Sequence, residues 1–138
     1  MAIQYNINPL INDRLAKLLA DAGNSAILRI WTGSMPAHCA TADSGSKLTE
    51  DTIPSGGGAW MGSPSAGAVA LTGTWTLNGV ASGTAGYFRI YDSGITKCYM
   101  QGTITATGGG GDMTLDNTSI ASSQVITVNS FTITGGNQ

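Results

Sequence analysis

The residues able to do chemistry are few, and their spacing does not converge on a catalytic set. His38 and Cys39 are adjacent. A Cys–His nucleophile pair needs sulfur and imidazole within about 3 Å of each other, whereas neighbours in an extended loop point apart. Asp43 is close in sequence, but nothing ties it to that pair. His38 therefore reads as a loop histidine and Cys39 as a small buried thiol. Zinc sites use about four ligands, and His38, Cys39 and the distant Cys98 fall short of that. The carboxylates are Asp13, Asp21, Asp43, Glu50, Asp51, Asp92, Asp112 and Asp116. Asp112, Asp116 and Asn117 have the right chemical type for calcium, but their spacing matches no calcium loop, and solvated turn residues account for them. Glu50 is the single glutamate, too little for paired-carboxylate glycosidase chemistry. The glycine run 108–111 is followed by neither Lys-Ser/Thr nor a helical pattern, so it is not a phosphate loop. The chain reads as non-enzymatic, with no catalytic, metal or cofactor residue assigned.

Aromatic residues offer a different chemistry. Trp31, Trp60, Trp75, Tyr87, Tyr91 and Tyr99 are candidates for a platform, and Arg89 and Lys97 share a segment with the three tyrosines. Long amphipathic side chains on one strand face suit a protein interface. Ordinary packing under a second layer accounts for them as well, and a ligand platform is a third reading. Trp60 and Met61 follow the glycines 56–58. Two large apolar residues in such a loop need burial, either over the core edge or against a partner.

The element that positions most of these residues is 84–107, TAGYFRIYDSGITKCYMQGTITAT. Its period-two alternation on either side of Asp92-Ser93-Gly94 predicts a β-hairpin. Phe88 and Ile90 occupy one face and Tyr87, Arg89 and Tyr91 the other. In the second strand, Cys98 and Met100 alternate with Lys97, Tyr99 and Gln101. A lone hairpin is marginal in water, so its apolar face must pack on more structure. Asn8 as cap and Pro9 at the first helical position predict a helix over 9–22, ending at Gly23. Leu10, Ile11, Leu15, Leu18, Leu19 and Ala22 form its apolar stripe. Residues 1–8 read as an arm, 9–134 as one domain and 135–138 as a tail.

Further strands are expected at 26–32, 47–52, 66–71 and 73–77, with a turn signal at Asn78-Gly79. In the last strand, 124–134, a bulge near Asn129-Ser130 would bring Ile126, Val128, Phe131 and Ile133 to one side. No repeated strand–helix–strand pattern is present. The expected fold is mainly β: an antiparallel β-sandwich or flattened β-barrel with one N-terminal α-helix.

The bulk numbers agree with one domain of 138 residues and net charge −2. Only 10% of residues are charged, against about 25% in a typical soluble chain, so the surface must be largely Ser, Thr, Asn and Gly. Such a surface suits a chain packed in an assembly, and also a plain low-charge soluble protein. The six cations are scattered, which argues against nucleic acid as a partner. No run of 18 apolar residues suggests a membrane span. The N-terminal segment lacks a signal-peptide pattern, and Cys39 and Cys98 are expected as free thiols made in the cytoplasm.

The stretches LRIWTGSMPA (28–37), AGYFRIYDS (85–93) and 112–134 resemble a group of small virion proteins of tailed bacteriophages. The resemblance covers most of the chain and is least at 47–64. It implies a non-enzymatic structural role, first as a capsid decoration (cement) protein bridging major capsid subunits. A tail component such as a tube, terminator or fibre-associated protein is the alternative. It further implies assembly in the host cytoplasm into the virion. A homo-oligomer, preferably a trimer, would match quasi-threefold lattice positions. On that reading the expected contact residues are Ile3 and Tyr5 of the arm, Trp60 and Met61, and Tyr87, Arg89 and Tyr91.

Overall fold

The computed structural model describes residues 6–135. The expected contact residues Ile3 and Tyr5 lie outside them. Helix α1 (Ile7–Ala22) begins two residues before the predicted start. Asn8 and Pro9 lie in its first turn, where a proline costs no helical hydrogen bond because those amides have no intrahelical acceptor. Asn6 occupies the cap position without a side-chain cap bond. The helix stops at Gly23, whose φ of 74° suits glycine and whose N–H donates to Leu19 O at 2.9 Å. Ile11, Leu15 and Ala22 are buried, whereas Leu10 is 48% exposed at the rim of the predicted stripe. Asn12 Oδ1 accepts the Gly67 N–H at 2.9 Å. A Cβ on Gly135 would lie 2.4 Å from Ile11 Cγ2. The helix thus covers the end of the sheet where 67–70 and 132–135 meet.

The strands are β1 (Ala26–Thr32), β2 (Lys47–Ile53), β3 (Ala68–Ala70), β4 (Trp75–Asn78), β5 (Gly83–Tyr91), β6 (Cys98–Ala106), β7 (Met113–Leu115), β8 (Ser119–Ile120), β9 (Val125–Val128) and β10 (Thr132–Thr134). The main sheet runs β2-β1-β5-β6-β7, with β8 paired to the start of β5. All these pairings are antiparallel except β6–β7, which is parallel. Two short pairs, β3–β10 and β4–β9, complete the molecule. The fold is mainly β, with one N-terminal helix and a curled, open half-barrel of mixed sheet.

The predicted hairpin is β5–β6, and its connection is longer than three residues. Asp92 accepts from the Thr96 and Lys97 amides and closes the turn. Asn78-Gly79 is not a hairpin turn, because β4 pairs with β9 and not with β5. Gly79 serves close approach instead: a Cβ there would sit 2.2 Å from Ala121 O. The expected bulge in the last strand is a full break. β9 joins β4 and β10 joins β3, so the chain changes partner between Val128 and Thr132. Ile126, Val128 and Phe131 nevertheless all reach the core, and Ile133 packs against it.

One face of β5 supplies the core. Phe88 meets Phe131 edge-on at 5.5 Å, Phe131 lies 5.5 Å from Trp75, and Trp75 lies 6.1 Å from Trp60. Leu28, Ile30, Leu48, Leu77 and Ile90 are fully buried around them. The opposite face is buried too, because the long connection between β1 and β2 folds across it. That cover positions the candidate site.

Candidate functional site

Four strands bring one polar row into line. Glu50 of β2 pairs with Arg29 of β1, Arg29 with Arg89 of β5, and Arg89 with Gln101 of β6. Cross-strand partners point to the same face, so two arginines stand directly opposite one another in mid-sheet. Like charges so placed repel, and each is met by a carboxylate. Glu50 Oε2 accepts from Arg29 Nε at 2.8 Å and Nη2 at 2.6 Å, and from Lys47 Nζ at 2.5 Å. The Lys47 contact first, with Arg29 beside it, holds the Glu50 carboxyl below the usual carboxylate range.

The second carboxylate comes from the 33–46 connection. Asp43 Oδ1 accepts from Arg89 Nη1 at 2.6 Å and from the Tyr91 hydroxyl at 2.6 Å, and its Oδ2 lies 3.8 Å from Arg29 Nη1. Arg89 also donates to Thr41 O at 2.9 Å, His38 O at 3.2 Å and Gln101 Oε1 at 3.1 Å. Gln101 Nε2 in turn donates to Pro36 O at 2.7 Å. Two residues earlier on the same face of β5, the Tyr87 hydroxyl donates to Ser44 O at 2.6 Å and accepts the Ser44 N–H at 3.0 Å. Trp31 stacks on Tyr87 with ring centroids 6.4 Å apart. Arg89 is 2% exposed. Burial opposes its charge, but Tyr91 first, then Cys98 and Asp43, more than offset that, and its pKa lies above the ordinary arginine value. Burial, then the bond to Asp43, pushes the Tyr91 hydroxyl up to about 12.

This arrangement is a clasp. One buried guanidinium holds two loop carbonyls and a loop carboxylate, so the strand grips backbone and side chain together. Beside it lies an open hollow of about 450 Å³, lined by Cys39, Asp43, Arg89, Tyr91, Lys97 and Cys98 among others. Within it the Cys98 thiol faces Cys39 Sγ at 2.6 Å, and both are free thiols. Cys98 stands on this face because the register slips between Ile90 and Tyr91, which pairs Cys98 with Tyr91. Strict alternation had put it on one face with Met100; the register slip overturns that expectation.

Tyr87, Arg89 and Tyr91 are thus brought together, but their side chains are buried against this chain's own 33–46 connection. Trp60 and Met61 are 2% and 5% exposed, so the structure takes the core alternative for those side chains. Trp60 Nε1 donates to Gly23 O at 3.0 Å, which ties its glycine-rich loop to the end of α1. The group facing the Cys39 sulfur is Cys98, while His38 contributes its carbonyl to Arg89. Asp112 and Asn117 act separately: Asp112 accepts from Thr103 N and Oγ1, and Asn117 from Ser119 N. Among the described residues no group of three or more His, Cys, Asp or Glu side chains converges on a possible metal site, and no helix is long and apolar enough to cross a membrane. Comparison with protein-family models, curated proteins and solved structures gives no match for this chain.

Sequence reasoning missed Asp43, Ser44 and Gln101 as partners of this face. A signal did exist. Arg29 and Arg89 each sit in the middle of a strong strand pattern, on the face away from Leu28, Ile30, Phe88 and Ile90. A charge in mid-strand asks for a counter-charge.

Proposed function

We propose that this chain is a non-enzymatic structural protein of a tailed-phage virion, a capsid decoration protein that binds the shell and bridges its major capsid subunits. The observation that carries the reading is where the charges go. Lys17, Arg29, Lys47 and Arg89 are ion-paired within the chain, and Lys97 lies 5.3 Å from the Tyr99 ring centre. With so few charges, and most cations satisfied internally, the outer face is dominated by uncharged polar groups. Such a face can pack widely against a repetitive shell with little charge desolvation.

The resemblance at 28–37 and 85–93 supports the same reading from another side. Those stretches contain most of β1 and most of β5, paired neighbours at the middle of the sheet. On this reading they preserve the body of the fold, and specificity for the shell resides elsewhere. Since Trp60, Met61, Tyr87, Arg89 and Tyr91 present little surface, contact falls to exposed apolar side chains such as Leu10, Met35, Val80 and Val125. Val80 and Val125 flank the Gly79 N–H to Gln124 O bond and so stand near one another, both exposed. We also read β3–β10 and β4–β9 as the second layer of a flattened sandwich, with Phe131 meeting both Trp75 and Phe88. A trimer on quasi-threefold positions would multiply weak contacts into stable attachment.

Cryo-electron microscopy of intact particles, with symmetry imposed first on the head and then on the tail, tests the role. Regular density for the half-barrel on the shell is expected, and density confined to the tail axis overturns decoration in favour of a tail component. With purified protein and expanded shells, occupancy should change less than about threefold between roughly 0.05 and 0.5 M salt, since exposed charge pairs are the part that salt screens.

A further inference from the structure

Cys39 and Cys98 lie 59 positions apart in sequence, yet their sulfurs are in contact. Two tertiary features produce this. The 33–46 connection is held down on Arg89 through His38 O and Thr41 O, the residues on either side of Cys39 and Ala40. The register slip at Ile90/Tyr91 turns Cys98 onto the same covered face. Both cysteines are half-buried and line the open hollow, so a small reagent can reach them.

We propose that Cys39 and Cys98 are a disulfide-forming site, oxidised by low-molecular-weight disulfides of the glutathione type, whose closure covalently fastens the 33–46 connection onto the sheet. The proposal is independent of the decoration role. In the first step the Cys39 thiolate attacks one sulfur of the small disulfide. A Cys39–S–S–R bond forms, and one RS⁻ leaves and takes a proton. In the second step the Cys98 thiolate attacks Cys39 Sγ, the protein disulfide forms and the second RS⁻ leaves. The two protein thiols lose two electrons and two protons in total, and one RSSR becomes two RSH.

The order of attack follows from the site. Burial first, and the Cys39 thiol second, push Cys98 up to about 12, so Cys98 stays protonated at neutral pH and Cys39 reacts first. Once Cys39 is in the mixed disulfide, its thiol no longer raises Cys98. The nearby Arg89 charge then favours the second thiolate.

The test uses the full chain, incubated with excess oxidised glutathione near pH ~8, quenched with iodoacetamide and weighed intact. Wild type is expected as a monomer about 2 Da lighter than the reduced form, with no alkylated thiol. Cys98→Ser should stop at one glutathione adduct. Cys39→Ser should react more slowly than Cys98→Ser, because burial, the larger cause of the Cys98 shift, remains when the Cys39 thiol is gone. Amide exchange within 33–46 should slow about tenfold or more on oxidation of wild type and should not slow in either variant. A wild-type product that remains the mixed disulfide, that forms intermolecular dimers, or that keeps both thiols alkylatable overturns the site. An oxidised protein whose 33–46 amides exchange as in the reduced one overturns the fastening.

Discussion

Replacing Arg89 by Met removes the clasp while keeping most of the side-chain volume. Arg89 is 2% exposed and donates to His38 O, Thr41 O, Asp43 Oδ1 and Gln101 Oε1. Removing one partner of a buried, hydrogen-bonded ion pair costs about 3–5 kcal/mol. Asp43 keeps the Tyr91 hydroxyl, and its side chain is 26% exposed, so water meets part of the loss. The lower end, about 3 kcal/mol, is therefore expected. Asp43→Asn retains an acceptor and should cost less, about 1–2 kcal/mol. The two together should cost at least about 1 kcal/mol less than their sum, because they remove the same contact. Urea unfolding of the reduced protein measures the total. Amide exchange at Thr41, Ser44 and Ser46, whose N–H groups bond within the covered face, separates local opening from global loss. Exchange there should accelerate about a hundredfold in Arg89→Met if the clasp is what holds the connection down. A stability change under about 1 kcal/mol, with exchange at those three amides unaltered, would refute the reasoning.

Trp60→Ala should lower the stability of the single chain by about 3–5 kcal/mol, as expected for a core indole, and urea unfolding of the monomer measures it; a loss seen only in assembly would put Trp60 at an interface. Tyr91 has a folded pKa raised to about 12, above its unfolded value of 10.0, so its contribution is complete below pH 10 and is lost as pH rises through 10 to 12. Tyr91→Phe should reduce the decline of the unfolding free energy across that range by about 2 kcal/mol. Glu50 has the opposite sign: its folded pKa lies below 4.5, so its contribution is present above that value and fades as pH falls beneath it, and Glu50→Gln should weaken the acid limb of the stability curve. Gly79→Ala forces a Cβ to within 2.2 Å of Ala121 O, and a melting-point drop corresponding to about 2 kcal/mol or more is expected.

Local periodicity determined a good deal of this protein. The helix, β1 and the β5–β6 hairpin are legible because each shows its period over seven or more residues, with glycine, proline or asparagine at the ends. So is the two-faced character of β5, with Phe88 and Ile90 on one side and Tyr87, Arg89 and Tyr91 on the other. What covers the second face was not legible. Asp43 lies 46 residues from Arg89 and sits in a segment with no period of its own. Nothing local says that this segment crosses the sheet, so the same tyrosines and arginine read equally well as an outward face or as an inner one.

Three further features belonged to the tertiary structure alone. The break between β9 and β10 arises because two different partners, β4 and β3, claim the two halves. A sequence pattern cannot distinguish that from a bulge, since either brings Ile126, Val128 and Phe131 inward. The role of Gly79 depends on Ala121, more than 40 residues away, which local turn chemistry does not see. Cys98 changes face through a single register slip at Ile90/Tyr91. Side chains alternate with period two, so one extra residue reverses every face assignment beyond it. The slip brings the two cysteines together, and it is set by pairing between strands. The order of residues fixed which side chains were present, and long-range pairing decided which of them meet.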